Sequence, residues 1–599
     1  MLKKVQKSWN TFLWVTGLML FSFLILVLAS RHLATKFKPV ARTQISELVL
    51  ETTDSLYRME FSEMNMNLLT GRASLENVRI IPDTNVYKKL IGTRKAPNNI
   101  YFITLKMLEI KNFHPWRLLR HKKLKVDVVL FDKPDIIMVN RQFDFNESKR
   151  QSSEKTPYHY ISRYLRELRV GKIDLRNISF KYISNNGPVP EVDSVRNLNV
   201  TLKDWLIDSA SADDNSRLYL LKDIQIKLND YAFATPDSLY HIKLNQLDFT
   251  GSKGKLNIKS FSVVPRYSEM QFGRVAGFAK DRFNIEMSDV SLEGINLPLY
   301  IRKQELYAKE MNIANGFVAV FNNNALPKRE VVKIGKYPHQ LLQKLKGQLT
   351  VKQLNVNNVD ISYAEYDEQS GQKGEITFEK TSGMITNITN AGEVKAKYPF
   401  MFARLNTFMM GKGKLDVSFK FDLLAANGAF SYKGALGPMD GRVLNRITRP
   451  LGMVEVRSGK VKKLNFSVSA NDHVANGDMQ FAFNELSVSL LKKEQGEERL
   501  VKKGFMSFLA NAMVINPDNP NKEGVLINAP IHYERIRTAS FFNFVWRTLF
   551  QGIKYSVGVT AEKEQRIKAQ ILKFEKIKSD RNKRRTERQR RRARQIENR

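Results

Sequence analysis

Apolar and polar residues alternate along most of the chain beyond residue 43. Every second residue is apolar in five segments, at positions 224–228, 242–244, 256–259, 283–287 and 419–423. A period of two is typical of β-strands that bury one face and expose the other. Glycine and asparagine cluster between such segments, at 186–188, 251–254 and 427–428. These residues favour tight turns, so the pattern predicts a mostly β protein with an antiparallel sheet.

Three stretches repeat one pattern, at 172–182, 310–320 and 353–363. Each predicts a strand, a short turn near a central asparagine and a second strand. The stretches begin 138 and 43 residues apart, so they indicate a recurring structural unit and not a solenoid of fixed period. Apolar residues three and four apart predict short helices at Tyr158–Leu168 and His339–Leu345, which we expect to connect parts of a long sheet.

Alternation shows that one face of the sheet is covered, but it leaves the nature of the cover open. One interpretation is a stack of β-sandwiches, whose sheets cover one another. The other is an extended, curved sheet that forms a groove around an apolar guest such as lipid acyl chains. Each buried methylene contributes about 0.8 kcal/mol, so a chain of ~16 carbons costs on the order of 10 kcal/mol to hold bare in water. The residues expected to line such a groove are Ile224, Ile226, Leu228, Leu244, Ile258, Ile285, Phe419 and Phe421.

A run of 20 uncharged residues, Thr11–Ser30, is as long in helical form as a bilayer core about 30 Å thick. We therefore expect a retained transmembrane helix. The alternative is a cleaved signal peptide, but the run exceeds the ~7–15 apolar residues of such peptides. Basic residues flank the run on both sides, so charge does not determine its orientation. The residues expected to anchor the chain are Phe12, Leu13, Trp14, Leu18, Leu20, Phe23, Leu26 and Leu28.

An aromatic-rich segment at 541–554 places several apolar residues on one helical stripe. These residues are Phe542, Val545, Trp546, Leu549 and Ile553. Such a stripe suits the interface of a bilayer. The alternative is a helix that closes the open end of the sheet. A further helical pattern follows at 561–578.

The chain carries 97 Lys and Arg residues against 60 Asp and Glu, a net charge of +37, which attracts polyanions or anionic lipid surfaces. Residues 562–599 hold 16 basic and 6 acidic residues, so the 561 residues before them keep a net charge of +27. The tail arginines expected to contact an anionic surface are Arg584, Arg585, Arg588, Arg590, Arg591, Arg592 and Arg594. With a membrane anchor on the same chain, lipid head groups are favoured over nucleic acid, at ~1 kcal/mol per basic residue near such a surface. A solvated tail without a specific partner is the remaining alternative.

The search for catalytic chemistry gives no constellation. The chain has no cysteine, which excludes disulfides, cysteine-ligated zinc, iron–sulfur clusters and thiol nucleophiles. Its eight histidines are scattered and lack the spacing of a zinc site. The glycine–lysine runs at 251–255 and 411–414 do not complete a phosphate loop, and Asp127, Asp174 and Asp360 lie on the polar phase of strands, where solvation explains them. We therefore expect a protein that is not an enzyme and uses no cofactor or metal.

Two regions near the ends of the chain carry a family pattern. Residues 57–85 contain "LLTG" and "SLENVRI", and residues 108–140 continue with a strand, a short helix and a strand ending in a P-x-I sequence. Residues 424–492 contain G-x-V-x-x-L-x-F at 459–466 and A-x-G-x-M-x-F at 475–481. The chain thereby resembles the AsmA-like family of inner-membrane-anchored proteins of Gram-negative bacteria. The resemblance implies a periplasmic body, a groove-forming sheet similar to that of the chorein-type bridge proteins, and a role in glycerophospholipid traffic or outer-membrane homeostasis.

Together these features predict seven regions of the chain. They are a short cytoplasmic tail at 1–10, the transmembrane helix at 11–30, an N-terminal AsmA-like β region at 43–150, a repeated β-groove region at 151–400, a C-terminal AsmA-like β region at 401–495, a closing segment with the amphipathic helix at 496–560, and a basic tail at 561–599. The leading hypothesis is passive lipid transfer in envelope biogenesis, with the body in the periplasm and membrane lipids as partners. The alternatives are an envelope assembly factor that acts through protein contacts and a closed β core, or a membrane-tethered nucleic-acid binder.

Overall fold

The computed structural model covers residues 46–559 in outline and the single residues 563, 580 and 586. Within that range the residues not described are 48, 51–52, 68–69, 115–116, 118–119, 147–157, 159–160, 163–164, 188, 212–213, 215–216, 218–219, 330–331, 494–499 and 503–514. The predicted anchor at 11–30 and the seven tail arginines between 584 and 594 lie outside the described residues. None of the helices described is both long enough and apolar enough to cross a membrane.

The described chain divides into two compact units, which are built mostly from β-strands. Unit 1 holds the described residues up to Arg266 together with Ile285–Gly316 and Lys346–Asn355, and unit 2 holds Tyr267–Asn284, Phe317–Leu345 and the described residues from Val356 onward.

The strands of unit 1 are β1 Tyr57–Glu60, β2 Glu63–Asn67, β3 Arg72–Pro82, β4 Asn99–Phe113, β5 Lys123–Asp132, β6 Asp135–Asn140, β7 Glu167–Ser184, β8 Glu191–Ile207, β9 Asp223–Leu228, β10 Tyr231–Ala234, β11 Tyr240–Thr250 and β12 Lys255–Pro265. Three further strands contribute residues to both units, namely β13 Arg282–Glu293, β14 Glu305–Asn323 and β15 Gln348–Asp367. The strands of unit 2 are β16 Gln372–Thr389, β17 Phe400–Met409, β18 Gly413–Asp422, β19 Phe430–Leu436, β20 Met439–Asp440, β21 Val454–Ala470, β22 Val474–Lys493, β23 Leu500–Lys502 and β24 Asn528–Glu534.

Short helices connect the strands. They are α1 Thr84–Gly92, α2 Glu269–Ala276, α3 Leu297–Lys303, α4 Pro338–Gln343, α5 Gly392–Lys397, α6 Asn445–Gly452 and α7 Phe541–Ser556, with 3₁₀ turns at Asp144–Asn146 and Gly441–Leu444. The helix predicted at His339–Leu345 is confirmed as α4. The one predicted at Tyr158–Leu168 is wrong at its end, because strand β7 already begins at Glu167.

The turns predicted from glycine and asparagine at 251–254 and 427–428 are present, whereas the one predicted at 186–188 includes residue 188, which lies outside the described residues. Residues 251–254 join β11 to β12, residues 410–412 join β17 to β18, and residues 423–429, which include Asn427 and Gly428, join β18 to β19. The predicted antiparallel pairing is confirmed for the described strands except in unit 1, where β7 pairs in parallel with both β5 and β6. The chain runs from the end of β6 to the start of β7 through residues 141–166, and a connection of this length permits a parallel return.

Residues with positive φ interrupt the long strands at their middle. Among them are Asn77 in β3, Asn177 in β7, Asn197 in β8, Gln246 in β11, Asp289 in β13 and Asn358 in β15, with φ between 43° and 57°. Two of the three repeated stretches contain such an asparagine, yet all three lie inside the single strands β7, β14 and β15. The predicted turn between two strands is therefore wrong. A backbone kink takes its place, and Asn and Asp tolerate positive φ better than other side chains do.

The kinks keep the apolar residues on one face. In β3, Leu75 and Val78 stand three positions apart on either side of Asn77, and both are fully buried in the same core. In β7 and β8 the register shows the extra residue directly, because Leu175 pairs with Val200 and Ile178 with Leu198. An insertion of one residue would otherwise turn the following side chains to the opposite face. The kink thus explains why the apolar alternation changes phase in mid-strand.

Candidate functional site

Two rows of apolar residues cross six consecutive strands of unit 1. Directly opposed residues in a sheet share a face, so the register of the strands defines each row. The first row is Leu175, Val200, Ile226, Phe249, Leu256 and Leu292, and the second is Ile178, Leu198, Leu228, Leu247, Ile258 and Val290. Both rows run through β7, β8, β9, β11, β12 and β13 without a polar residue. We call the part of this face on β9 to β13 the open face.

The cover of this face changes along the rows. On β7 and β8, Leu175 and Val200 are 5% and 3% exposed, and they belong to a core that also contains Ile161, Leu165 and three residues of α1. From β9 onward the row residues are only half-buried, apart from Val290. None of the row residues on β11, β12 or β13 belongs to either hydrophobic core of the described chain. The sheet therefore continues its apolar face beyond the elements that cover it.

Two further apolar rows lie on the other side of the kinks at Gln246 and Asp289. Tyr231, Leu244, Phe261 and Met287 oppose one another across β10 to β13, and so do Phe233, Ile242, Val263 and Ile285. The kink residues Gln246 and Asp289 separate these rows from the first two, in the same way as Asn77 does in the covered part of the sheet. The open face is therefore several rows deep along the strands.

Five of the eight predicted groove residues lie in these rows, and a sixth shares their face. Ile226, Leu228 and Ile258 belong to the first two rows, Ile224 follows on the same face of β9, and Leu244 and Ile285 lie beyond the kink. The sequence reasoning missed Leu247, Phe249, Leu256, Phe261, Val263, Met287, Val290 and Leu292. Period-two alternation joins Leu256 to Ile258 and Met287 to Ile285, but it could not join the other six, because the phase changes at the kink. An apolar pattern of i, i+2, i+5 and i+7 is the signal that would have found them.

The other two predicted groove residues, Phe419 and Phe421, lie in unit 2 and are packed in its core. Phe421 is 6% exposed and stacks with Phe419, Phe430 and His339. Helix α7 covers this core and contributes Phe541, whose ring centroid is 6.2 Å from that of Phe421. In unit 2, therefore, the apolar face of β18 is closed by protein.

Helix α7 packs on the sheet through a buried stripe of one phenylalanine and three small residues. It begins at Ser540, whose hydroxyl accepts the Asn543 N–H at 3.3 Å, and it buries Phe544, Thr548, Gly552 and Ser556. A Cβ at Gly552 would lie 2.9 Å from the sulfur of Met479, so only glycine permits this approach of the helix to the sheet.

The five residues predicted to form an interfacial stripe lie to one side of the buried stripe of α7. Val545, Trp546, Leu549 and Ile553 pack partly against the core, whereas Phe542 is 55% exposed. The buried side of α7 therefore covers part of the sheet. This is closer to the alternative interpretation, in which the helix closes the open end of the sheet.

A buried ion pair joins the loops of unit 2. Arg535 donates from Nη1 to Asp472 Oδ1 at 2.8 Å and from Nη2 to the carbonyl oxygen of Lys333 at 2.8 Å, and its guanidinium carbon lies 4.1 Å from the centroid of the Tyr337 ring. The side chains of Arg535 and Asp472 are 1% and 4% exposed. Asp472 also accepts from Gln340 Nε2 at 2.7 Å. These bonds connect the segment before α4 to the turn after β21.

His339 packs beside this pair. Its side chain is 1% exposed, stacks on Tyr337 and Phe421, and has no hydrogen-bond partner for either ring nitrogen among the described residues. Burial lowers the pKa of His339 from its usual 6.5, against the opposing effects of the nearby Gly428 backbone, Asp472 and Asp422.

The polar face of unit 1 carries paired charges. Asp204 accepts from Arg169 Nε at 2.6 Å and from Arg217 Nη2 at 2.9 Å. Burial raises the pKa of Asp204, but these hydrogen bonds more than offset it and lower the pKa to about 2. Asp174, expected to be solvated, is instead 6% exposed and accepts from Lys172, Arg176 and Thr201. These pairs satisfy the charges of the face opposite the apolar rows.

Within the described residues, no group of three or more His, Asp or Glu side chains is arranged to hold a metal ion. Comparison of the chain with models of known protein families gave no match, and comparison with curated proteins gave no significant match. The AsmA-like resemblance therefore stays a prediction from the sequence.

Proposed function

We propose that the protein is a membrane-anchored carrier that passes lipid acyl chains along the open face of unit 1. The observation that carries the proposal is the pair of apolar rows, in which Leu175, Val200 and Ile178 are buried, whereas the residues from β9 to β13, apart from Val290, are only partly buried. A monomeric soluble protein seldom exposes such a contiguous apolar surface without a ligand or partner for it.

The dimensions and chemistry of the open face suit an acyl chain. Four strands spaced ~4.8 Å apart make each of the first two rows about 14 Å wide from β9 to β13. Their side chains are aliphatic or aromatic, so contact with lipid is non-directional and allows a chain to slide. Passive transfer requires no catalytic group. The expected elongated, curved groove is part of this proposal, as are the predicted anchor and periplasmic position and the role in outer-membrane biogenesis implied by the AsmA-like resemblance.

Photo-crosslinking tests the proposal with controls from the same strands. The photoreactive residue benzoylphenylalanine replaces Ile226 or Ile258 on the open face, and Lys227 or Asn257 on the exposed opposite face. After illumination of cells, the purified full chain is analysed by mass spectrometry. We expect lipid adducts at 226 and 258 and none at 227 and 257. Equal adduct yields on both faces, or no adduct at 226 and 258, would contradict the proposal.

A second candidate function has support in unit 2. There the apolar face of β18, β19, β21 and β22 is filled by α7 in a conventional helix-on-sheet core. This closed core favours the alternative of an assembly factor that works through protein contacts. In that case the crosslinker at 226 and 258 would yield protein adducts in place of lipid.

A further inference from the structure

Several connections of unit 2 leave the sheet at the same end. Phe400 pairs with Asp422, Phe421 with Phe430, Phe430 with Ala470, and Ala470 with Ala475. The segments 390–399, 423–429 and 471–473 therefore emerge side by side, and so does 535–540, since Tyr533 opposes Ala475. We call this the loop end of unit 2.

Residues 332–345, which include α4, are fastened across the loop end. The Tyr337 hydroxyl donates to the carbonyl oxygen of Asn471 at 3.0 Å, and Gln343 Nε2 donates to that of Thr389 at 2.9 Å. The bond from Gln340 to Asp472 also fastens it to 471–473, Lys395 donates to Gln343 Oε1 from 390–399, and Arg535 donates to the carbonyl oxygen of Lys333 from 535–540, so the segment is held against three connections. The segment and these connections therefore form one hydrogen-bonded surface and not a set of independent loops.

Large apolar side chains are exposed on this surface. Seven of them are between 43% and 56% exposed, namely Val332, Leu341, Leu345, Tyr398, Leu424, Ile536 and Phe542. The opposite end of the same sheet provides a comparison. Its described connections at 368–371, 410–412 and 437–453 contribute no exposed large apolar side chain, and the segment 515–527, which leads into β24 from that end, contributes Val525 and Leu526.

Basic residues surround these apolar side chains. They are Lys336, Lys344, Lys395, Lys397 and Arg537, and none of them forms an ion pair within the described part of the chain. The exposed acidic residues of the loop end are Glu393 and Glu534. The surface is thus positively charged as well as apolar. A pocket of about 380 Å³ adjoins it, lined among others by Lys420, Ser431 and Asn476.

This combination distinguishes between two kinds of partner. Protein interfaces are depleted in lysine at their centre, because the flexible ammonium group is costly to bury. At a bilayer surface, leucine and aromatic side chains enter the acyl boundary while lysine side chains extend to the phosphates. Leucines interleaved with lysines that form no ion pair therefore suit a membrane better than a protein.

We infer that the loop end of unit 2 docks on the surface of an anionic phospholipid bilayer. The inference rests on the proposed function, since a bilayer is where a carried lipid would be taken up or released. It adds the partner and the residues that meet it. Its test measures contact with a membrane and not the presence of lipid on the open face, so the two can fail separately.

The absence of cysteine makes the test direct, because a single introduced thiol can be labelled. A polarity-sensitive nitrobenzoxadiazole dye is attached at Ala426→Cys, an exposed residue of the loop end, or at Lys412→Cys, an exposed residue of the turn at the opposite end. The labelled full chain is held in nanodiscs of phosphatidylcholine. Vesicles that contain phosphatidylglycerol and a spin-labelled quencher lipid are then added.

We expect the dye at 426 to shift to the blue and to be quenched several-fold more than the dye at 412. Omission of phosphatidylglycerol should remove most of the difference. The variant Leu341→Asp/Leu424→Asp should also remove it while the chain stays folded, because both leucines are about half exposed.

The inference is overturned if the dye at 426 is not quenched, if both positions are quenched alike, or if the double variant behaves as the parent. A response of the dye at 426 to an unlabelled copy of the chain, without vesicles, would overturn it in favour of contact between copies. Crosslinking at Ile258 is measured on the same preparations. Loss of lipid adducts there with retained docking contradicts the proposed function alone, and the reverse contradicts the docking surface alone.

Discussion

The pair of Arg535 and Asp472 is buried more completely than the other described ion pairs of unit 2. A buried pair gains little over apolar packing, but removal of one partner leaves the other charge uncompensated. We predict that Arg535→Met destabilises unit 2 by about 3–5 kcal/mol. The measurement is urea unfolding followed by the fluorescence of Trp546, which lies in α7.

The matched control for this prediction is Lys460→Met. Lys460 pairs with Glu485 at 3.2 Å, but the two side chains are 68% and 61% exposed. Exposed pairs contribute about 0–1 kcal/mol, so this variant should unfold close to the parent. Similar decreases in the free energy of unfolding of the two variants would show that burial does not make the Arg535–Asp472 pair more important than an exposed pair.

His339 gives unit 2 a dependence on pH. In the unfolded chain the imidazole has its usual pKa of 6.5, and burial lowers the pKa in the folded protein. Between these two values the unfolded chain binds a proton that the folded chain does not, so stability falls as the pH falls below about 6.5. We predict that His339→Phe reduces this loss between pH 7.5 and pH 5. The measurement is the unfolding midpoint at both values, with exposed His532→Phe as the control that should retain the parent's loss.

At the scale of the strand, the kinks determine which side chains reach the core. Asn177 has φ of 54°, is exposed, and precedes Ile178, which is 5% exposed. A residue in the left-handed region costs about 1–2 kcal/mol unless it is glycine or a tolerant polar residue. We predict that Asn177→Val destabilises unit 1 by about 1–2 kcal/mol and that Asn177→Gly is nearly neutral. Lys181→Val, at an exposed position without a positive φ in the same strand, should change stability little, and equal effects at 177 and 181 would refute this role of the kink.

Substitutions in helix α7 show which face of this amphipathic helix contributes to stability. The apolar pattern placed Phe542 on the predicted interfacial stripe and did not include Phe544, but the fold buries Phe544 completely and leaves Phe542 55% exposed. We predict that Phe544→Ala destabilises unit 2 by about 3–5 kcal/mol and that Phe542→Ala costs less than about 1 kcal/mol. Chemical denaturation of both variants measures the difference. If Phe542→Ala proved the more damaging change, the described docking of α7 would be wrong.

Local signals in the sequence were sufficient for the β class and for the turns. Glycine and asparagine at 251–254 and 427–428 act within a few residues, so their effect does not depend on the rest of the fold. The parallel pairing of β7 with β5 and β6 was not predictable, because it depends on a long connection and on residues far apart in the chain. Only part of the open face was predicted from the sequence. Each kink shifts the phase of the apolar pattern, so the pattern does not show that the strand continues.

At the scale of the molecule, one apolar face is used in two ways. Val200 and Leu256 belong to the same row, yet Val200 is 3% exposed while Leu256, three strands further, is only half-buried. A face that served stability alone would be covered at both positions, because each uncovered Leu or Ile forgoes part of the ~1.5–3 kcal/mol that full burial contributes. The partial cover of these rows is what the proposed lipid carrier requires.

This difference predicts opposite outcomes for one substitution made at two places in the row. Val200→Glu buries an unpaired carboxylate in the core of unit 1, so we expect it to prevent stable folding. Leu256→Glu places the carboxylate at the open face, where water reaches it, and should leave the unfolding midpoint near that of the parent. It should nevertheless abolish binding of the uncharged apolar dye Nile red and of co-purifying lipid. Asn257→Glu, on the opposite face of the same strand, is the control that should retain both. If Leu256→Glu unfolds the protein as Val200→Glu does, the face at β12 is a closed core, and the lipid proposal loses its physical basis.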